Sequence, residues 1–355
     1  MHRRLIIAAG LFLGFSARAQ TLGGSSVFQF VNLPNTPRLT ALGGVNVSHP
    51  ANDIGLAFHN PALLTHQMHG QVNLVFNDFI AGIQVFHLSG GYSSDRLKTN
   101  FLAGITYFNY GTVSSTDASG NVLGSFRPRD WVVQLGASRQ YLEKWRYGAS
   151  LKFLSSGYGQ YRSNGIAVDV GVLYSDTTRL FTASVLVRNM GFQIRKYPGA
   201  GVEDMPFDLQ AGITKRLASA PVSFSLSAGR LHRFDLTYND TAFNNENGYP
   251  NGSEKRFSWS KLISHFVVGA TIYMGDRVEV HTGYNFLRRK DLAVPGGSNG
   301  LSGFSMGATV LLNGLQVSYA RAYYQGGSAY NQFGLHLPLA NYFDRRPGVR
   351  SGGQD

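Results

Sequence analysis

After its first twenty residues the chain offers no run of about 18 apolar residues, the length a helix needs to cross a bilayer, yet it alternates apolar with small or polar residues along much of its length. Val222, Phe224, Leu226 and Ala228 interleave with Ser223, Ser225, Ser227 and Gly229. Phe207, Leu209, Ala211 and Ile213 alternate with Asp208, Gln210, Gly212 and Thr214, and the same holds for Phe304, Met306, Ala308 and Val310. Ile166, Val168, Val170 and Val172 repeat it around Asp169 and Gly171. Period two is the signature of strands with two unlike faces. In lipid every backbone donor and acceptor must be paired internally, so strands there have to close into a barrel.

A soluble β-sandwich also alternates, and loop lengths decide against it. Strands are predicted at 71–78, 82–93, 100–111, 130–140, 146–156, 163–174, 179–189, 205–216, 221–232, 264–274, 278–287, 301–312, 315–323 and 331–339. Their links fall into alternating classes: short at 95–99, 141–145, 175–178, 217–220, 275–277 and 313–314, long at 112–129, 190–204, 232–263 and 288–300. Short turns on one side and long loops on the other are the asymmetry of outer-membrane barrels. The fold class expected is therefore all-β, a transmembrane outer-membrane β-barrel of about 14 antiparallel strands. Tyr92, Tyr107, Tyr110, Trp131, Tyr141, Trp145, Tyr147, Tyr273, Tyr284, Tyr319 and Tyr323 fall near strand ends, where interfacial aromatic girdles would lie.

The N-terminus carries an export signal. Arg3 and Arg4 precede the apolar run from Leu5 to Phe15, and Ala17-Arg18-Ala19 gives a cleavage site before Gln20. Cleavage removes three arginines from a formal charge of +12. The domain plan is a signal peptide at 1–19, a plug or hatch at 20–70, the barrel at 71–340 and a tail at 341–355. The plug is inferred because Pro34, Pro37, Pro50 and Pro61 break regular structure there, while Phe28, Phe30 and Leu33 are too apolar for a disordered leader. Asn60 and Pro61 belong to the same segment, which is expected to fold into the periplasmic mouth.

Chemistry is hard to find. No cysteine is present, which excludes disulfides, thiolate metal sites, a thiol nucleophile and a lipoprotein anchor. His59, His66 and His69 fall close in sequence, but on irregular backbone rather than at a metal-ligand spacing. His265, His281 and His336 lie on predicted strands with no motif marking a nucleophile. Neither an enzyme, a cofactor nor a nucleic-acid partner is expected. Basic residues gather in the long loops instead: Arg127, Arg129, Arg195, Lys196, Arg288, Arg289 and Lys290. Such a rim suits lipopolysaccharide phosphates or a surface partner, and equally an ordinary solvated edge.

SVFQFVNLP at 26–34, RLTALGG at 38–44 and NPALL at 60–64 resemble the opening of the PorQ family, outer-membrane proteins of the type IX secretion system. The similarity continues through DMPFDLQAGITKRLASAPVSFSLSA at 204–228, GYNFLRRKDL at 283–292, GLSGFSMG at 300–307 and YARAYY at 319–324. The resemblance implies a FadL-like barrel with an N-terminal hatch. It also implies a scaffold role in the attachment complex: anchoring a PorZ-like surface protein, beside a PorU-like sortase and a PorV-like barrel, so that cargo is processed and linked to anionic lipopolysaccharide. The alternative is a FadL-like channel for uptake of hydrophobic ligands.

Overall fold

The structure is a computed structural model that describes residues 26–236, 258–292, 300–324 and 328–339. The expected signal peptide and C-terminal tail lie outside the described residues. So does most of the loop after the ninth barrel strand.

Fourteen strands close into one antiparallel barrel. In chain order they are β1 (Gln71–Asp78), β2 (Gln84–Ser94), β3 (Thr99–Asn109), β6 (Arg129–Tyr141), β7 (Trp145–Tyr158), β8 (Tyr161–Asp176), β9 (Phe181–Arg195), β10 (Asp208–Arg216), β11 (Val222–Ala228), β12 (Phe266–Met274), β13 (Val278–Asn285), β14 (Phe304–Leu312), β15 (Leu315–Tyr323) and β16 (Ala329–Pro338). Two more, β4 (Val113–Thr116) and β5 (Val122–Phe126), form a separate hairpin within the long 112–129 loop. β1 pairs with β16, so no edge is left open. No described helix is long and apolar enough to cross a membrane, and the crossing is made by the strands.

The alternation reads out as anticipated. On β11, Phe224 and Leu226 face outward while Ser223, Ser225 and Ser227 are buried inside. Leu74, Phe86, Leu135, Leu151, Val185, Met306 and Phe333 continue the exposed apolar belt around the wall. Inside, buried Asn73, His87, Gln134, Lys152, Thr182, Gln210, Thr271 and Gln332 face the lumen.

Three expectations need correction on the wall. β9 does not end at residue 189 but runs on to Arg195, so the loop placed at 190–204 begins inside the strand. The cause is a bulge: Val168 pairs with Met190 and Val170 with Val187, leaving Arg188 and Asn189 opposite Asp169 alone. Asn189 takes the left-handed conformation (φ 54°), which Asn tolerates better than most residues. Period two changes phase there, and outward positions become Met190 and Phe192. Tyr110, assigned above to a girdle, instead donates its hydroxyl inward to Asp130 at 2.5 Å. β11 ends at Ala228, four residues earlier than expected.

Residues 26–70 fill the lumen. Helix α1 (Pro37–Ala41) packs on β13–β16, helix α2 (Ile54–His59) on β1–β3, and the turn Pro61–Leu63 on β6–β8. The segment is not confined to one mouth as anticipated. Val27 N–H donates to Asp204 O (3.0 Å) at the long-loop end, whereas Leu64 O accepts from Ser138 Oγ (2.7 Å) toward the short-turn end. One apolar core joins Leu39, Ile54, Leu56, Phe58, Leu63 and Met68 to Leu102 and Leu173 of the wall. A second joins Val27, Phe28 and Phe30 to Val85, Phe108 and Val132.

Candidate ligand-binding cleft

The plug is joined to the wall by buried polar contacts, because inward strand positions and plug backbone must satisfy one another away from water. Gln134 Nε2 donates to Phe58 O (2.8 Å), Asn60 Nδ2 to Ser184 Oγ (2.9 Å), and Asn285 Nδ2 to Gly43 O (3.0 Å). Arg38 of α1, 3% exposed, reaches Glu279 of β13 at 2.6 Å. Where the plug presses closest, the wall carries glycine. Gly148 and Gly171 face each other on β7 and β8. A Cβ on Gly148 would lie 2.5 Å from the Pro61 carbonyl, and one on Gly171 would run into Asn60 Oδ1. Inward glycines of this kind account for part of the 43 in the chain.

Three charged side chains stand at the bulge, on strand positions facing the lumen. Lys152 Nζ lies 2.5 Å from Asp169 Oδ2 and donates to Asn189 Oδ1 at 2.9 Å. Asn189 in turn donates its N–H to Asp169 Oδ1 (2.8 Å) and its Nδ2 to Pro206 O (3.0 Å). Arg188 Nη2 donates to Val31 O of the plug at 3.1 Å, and its Nε has no partner among the described residues. Ionisable residues inside a membrane-spanning wall mark functional ground. The sequence carries this signal at Lys152 and Asp169, each flanked by apolar residues, but not at Arg188, which stands between Val187 and Asn189.

Above Arg188 a cleft of about 490 Å³ opens toward the long-loop end. Its floor is the plug at Asn32, Leu33, Pro34 and Val45, and its walls include Met205, Phe207, Leu236, Val267 and Leu287. Arg188, Arg230, Arg233 and Arg288 line it together with the carboxylates Asp208 and Asp291. Asp208 is already committed, to Arg230 N–H and Gln210 Nε2, both at 2.6 Å. At the rim, desolvation by burial raises the pKa of the Asp291 carboxyl above its usual range, against Arg230 and Lys290, which pull it down. His232 packs edge-on to Phe207 (4.9 Å between centroids), and desolvation holds its imidazole below the usual value. The cleft is therefore apolar in its walls and cationic in balance, with a size typical of small-molecule sites.

Below the cleft lies a second cavity of about 30 Å³, room for water only. It is lined by Phe30, Phe58, Phe108, Gln134 and Lys152, and shares Leu33, Pro34 and Arg188 with the cleft. Outside the wall is an apolar groove of about 460 Å³ formed by Leu74, Phe76, Phe86, Leu88, Ile105 and Phe333. The groove and the inner cavity share Val75 and His87.

The structure sorts the basic residues of the loops. Arg129 opens β6, Arg195 closes β9 and Lys196 follows it, all exposed. Arg127 Nε donates to Thr112 Oγ1 beside the β4–β5 hairpin (3.3 Å). Arg288 differs from the expectation of an outward loop residue. It lies on a short helix, α3 (Phe286–Asp291), capped by Asn285, which turns its guanidinium inward onto Gly43 O (2.9 Å) and over Tyr324. Arg289 Nη1 donates to Gly300 O (2.9 Å), and Lys290 is half-buried. Of the plug residues, Phe28, Phe30, Asn60 and Pro61 are buried and Leu33 is half-buried at the cleft floor. The histidines separate: His59 meets Gln210 (3.1 Å), while His66 and His69 stack near Asp95 and Tyr92. His265, His281 and His336 are buried on the lumen side. Among the described residues no group of three or more metal-ligating side chains comes together.

No protein-family profile matches the sequence, and no curated protein does. Solved structures with similar architecture include the CymD monoaromatic hydrocarbon channel, 15% identical over 87% of this chain and 97% of that one, with a TM-score of 0.49. A TodX monoaromatic hydrocarbon channel mutant is 12% identical over 85% and 97%, with a TM-score of 0.47. A Rhodopseudomonas blastica porin mutant is 8% identical over 76% and 98%, with a TM-score of 0.30.

Proposed function

We propose that this protein is an outer-membrane barrel that takes up a small hydrophobic or amphipathic molecule through a plugged lumen, with its long loops outside the cell. What supports this reading is the series of three cavities. The cleft adjoins the inner cavity across Leu33, Pro34 and Arg188, and the inner cavity adjoins the lipid-facing groove across Val75 and His87. Ligand would enter the cleft from the aqueous side and leave toward the membrane once the plug around Phe30 and Leu33 shifts. The excess of guanidinium groups over free carboxylates favours an anionic head on an apolar tail. The test is equilibrium binding of a fluorescent long-chain carboxylate to the mature protein in detergent. The double variant Arg230→Ala/Arg233→Ala should weaken the carboxylate by about ten-fold or more, and leave the matching neutral alcohol unchanged. Equal affinity of wild type and the double variant for both ligands would refute an anion-selective cleft.

A second reading, the scaffold of an attachment complex, is supported by a different observation. The β4–β5 hairpin stands outside the barrel and exposes Val122 (69%) and Leu123 (70%), a surface that ligand uptake leaves without a role. The likeness of residues 26–44 to the PorQ family points the same way. Its test is deletion of residues 112–128, which on this reading releases a PorZ-like surface protein from the cells.

A further inference from the structure

One sector of the outer wall carries a cluster of cations at a defined height. Arg129 on β6 pairs with Gly157 on β7, and Gly157 pairs with Arg162 on β8, so the two arginines share one row about 10 Å apart. The next row down is Trp131, Ser155, Asn164 and, on β9, Arg195. Below that comes the apolar belt, led by Phe153, Ile166 and Phe192. These are the outward positions of their strands, and Arg129, Arg162 and Arg195 are all exposed. Among the described residues none of the three has a carboxylate within ion-pair reach. Arg321, near the same end of β15, is by contrast held by Asn331 (3.2 Å) and stacks over Tyr323.

From the Trp131–Ser155 row to the aromatic pair Trp145 and Tyr174 at the opposite end, β7 covers ten residues. At about 3.3 Å per residue and a tilt near 40° that is about 25 Å, the height of the apolar band of an outer-membrane barrel. The three guanidiniums therefore stand where the headgroups of the adjoining leaflet begin. Guanidinium forks match phosphate oxygens, and their methylene stems pack along the apolar belt below.

We propose that the β6–β9 sector binds phosphate groups of an anionic glycolipid in the leaflet on the long-loop side, through Arg129, Arg162 and Arg195. The occupant is a lipid rather than a soluble anion, because the cations sit directly above a continuous hydrocarbon-facing surface. The site is independent of the cleft, which opens inside the barrel.

The test is native mass spectrometry of the mature barrel extracted from nanodiscs containing phosphorylated lipid A and phosphatidylethanolamine. Wild type should retain lipid A selectively, and dephosphorylated lipid A should not be retained. Arg129→Ser/Arg162→Ser/Arg195→Ser should weaken retention on the order of a hundred-fold, the corresponding lysine variant much less, and Arg321→Ser not at all. Heat-modifiable migration on gels shows that each variant is folded, and single substitutions replace the triple one if it is not. Undiminished retention by the triple variant, or retention of the dephosphorylated lipid by wild type, would overturn the proposal. So would loss of a bound surface protein with lipid retention intact.

Discussion

Arg38 of the plug donates to Glu279 of the wall at 2.6 Å, with Asp53 at 3.8 Å from its Nε. This pair ties α1 to β13 at a point the sequence could not reveal, because the partners stand 241 residues apart. Removing one side of a buried pair leaves the other charge uncompensated, at a cost of about 3–5 kcal/mol. Arg38→Met should expose residues 26–70 to limited proteolysis while the barrel stays heat-modifiable. Glu279→Gln, which keeps an acceptor, should do so more weakly. A plug equally protected in both variants would show that the pair does not anchor it.

Gly171 tests the fit of plug to wall. A methyl group there meets Asn60 Oδ1, and Asn60 also holds Val47 O, Ser184 Oγ and Ala62 N–H. Gly171→Ala should displace this turn and raise single-channel conductance in a planar bilayer. Gly201→Ala, in a loop with nothing near its Cβ, serves as a control. Wild-type conductance in Gly171→Ala would mean that the lumen is closed elsewhere.

Leu226 is 38% exposed on the outer face of β11 and Ser225 is 8% exposed inside. Arginine on the lipid face near mid-membrane costs about 2–4 kcal/mol, so Leu226→Arg should lower the folded fraction in a lipid refolding assay. Ser225 stands beside Gly269, whose missing Cβ makes room for Leu42 of the plug. Ser225→Arg should therefore insert and yet loosen the plug, seen as new proteolysis in residues 26–70. Identical behaviour of the two variants would contradict the assignment of faces.

Lys152 and Asp169 share the bulge with Asn189. Asn189→Ala removes the donor to Pro206 O and the acceptor for Lys152, and disfavours φ 54°. It should destabilise the barrel by roughly 1–3 kcal/mol in urea unfolding. Asn189→Gly, which relieves the backbone but not the hydrogen bonds, should recover only part of that. Full recovery by glycine would make the strain, and not the hydrogen bonds, the function of the residue.

Much of the wall was legible in the sequence because its rule is local. Val222, Phe224 and Leu226 are separated by serines, and that fixes which side meets lipid whatever the rest of the chain does. β9 shows where the rule fails: the bulge at Asn189 shifts the phase, so Met190, Phe192 and Ile194 read as a loop although they prolong a strand. The plug was legible as a segment, from its prolines and from Phe28 and Phe30, but not in its reach from Asp204 to Ser138, which depends on contacts remote in sequence. The cleft was the least legible. Arg188, Arg230 and Arg288 come from three separate places in the chain, and Arg288 looks like a surface cation until the Asn285 cap turns α3 inward.

The most direct test of uptake is to compare cells lacking this protein with cells carrying it, measuring accumulation of a labelled long-chain carboxylate and retention of surface proteins in the same culture. Uptake through the cleft predicts that accumulation falls without the protein, returns with wild type, and returns only in part with Arg230→Ala/Arg233→Ala, while surface proteins stay attached throughout. Unchanged accumulation in the deletion strain, with surface proteins shed into the medium, would contradict it and leave the scaffold reading in its place.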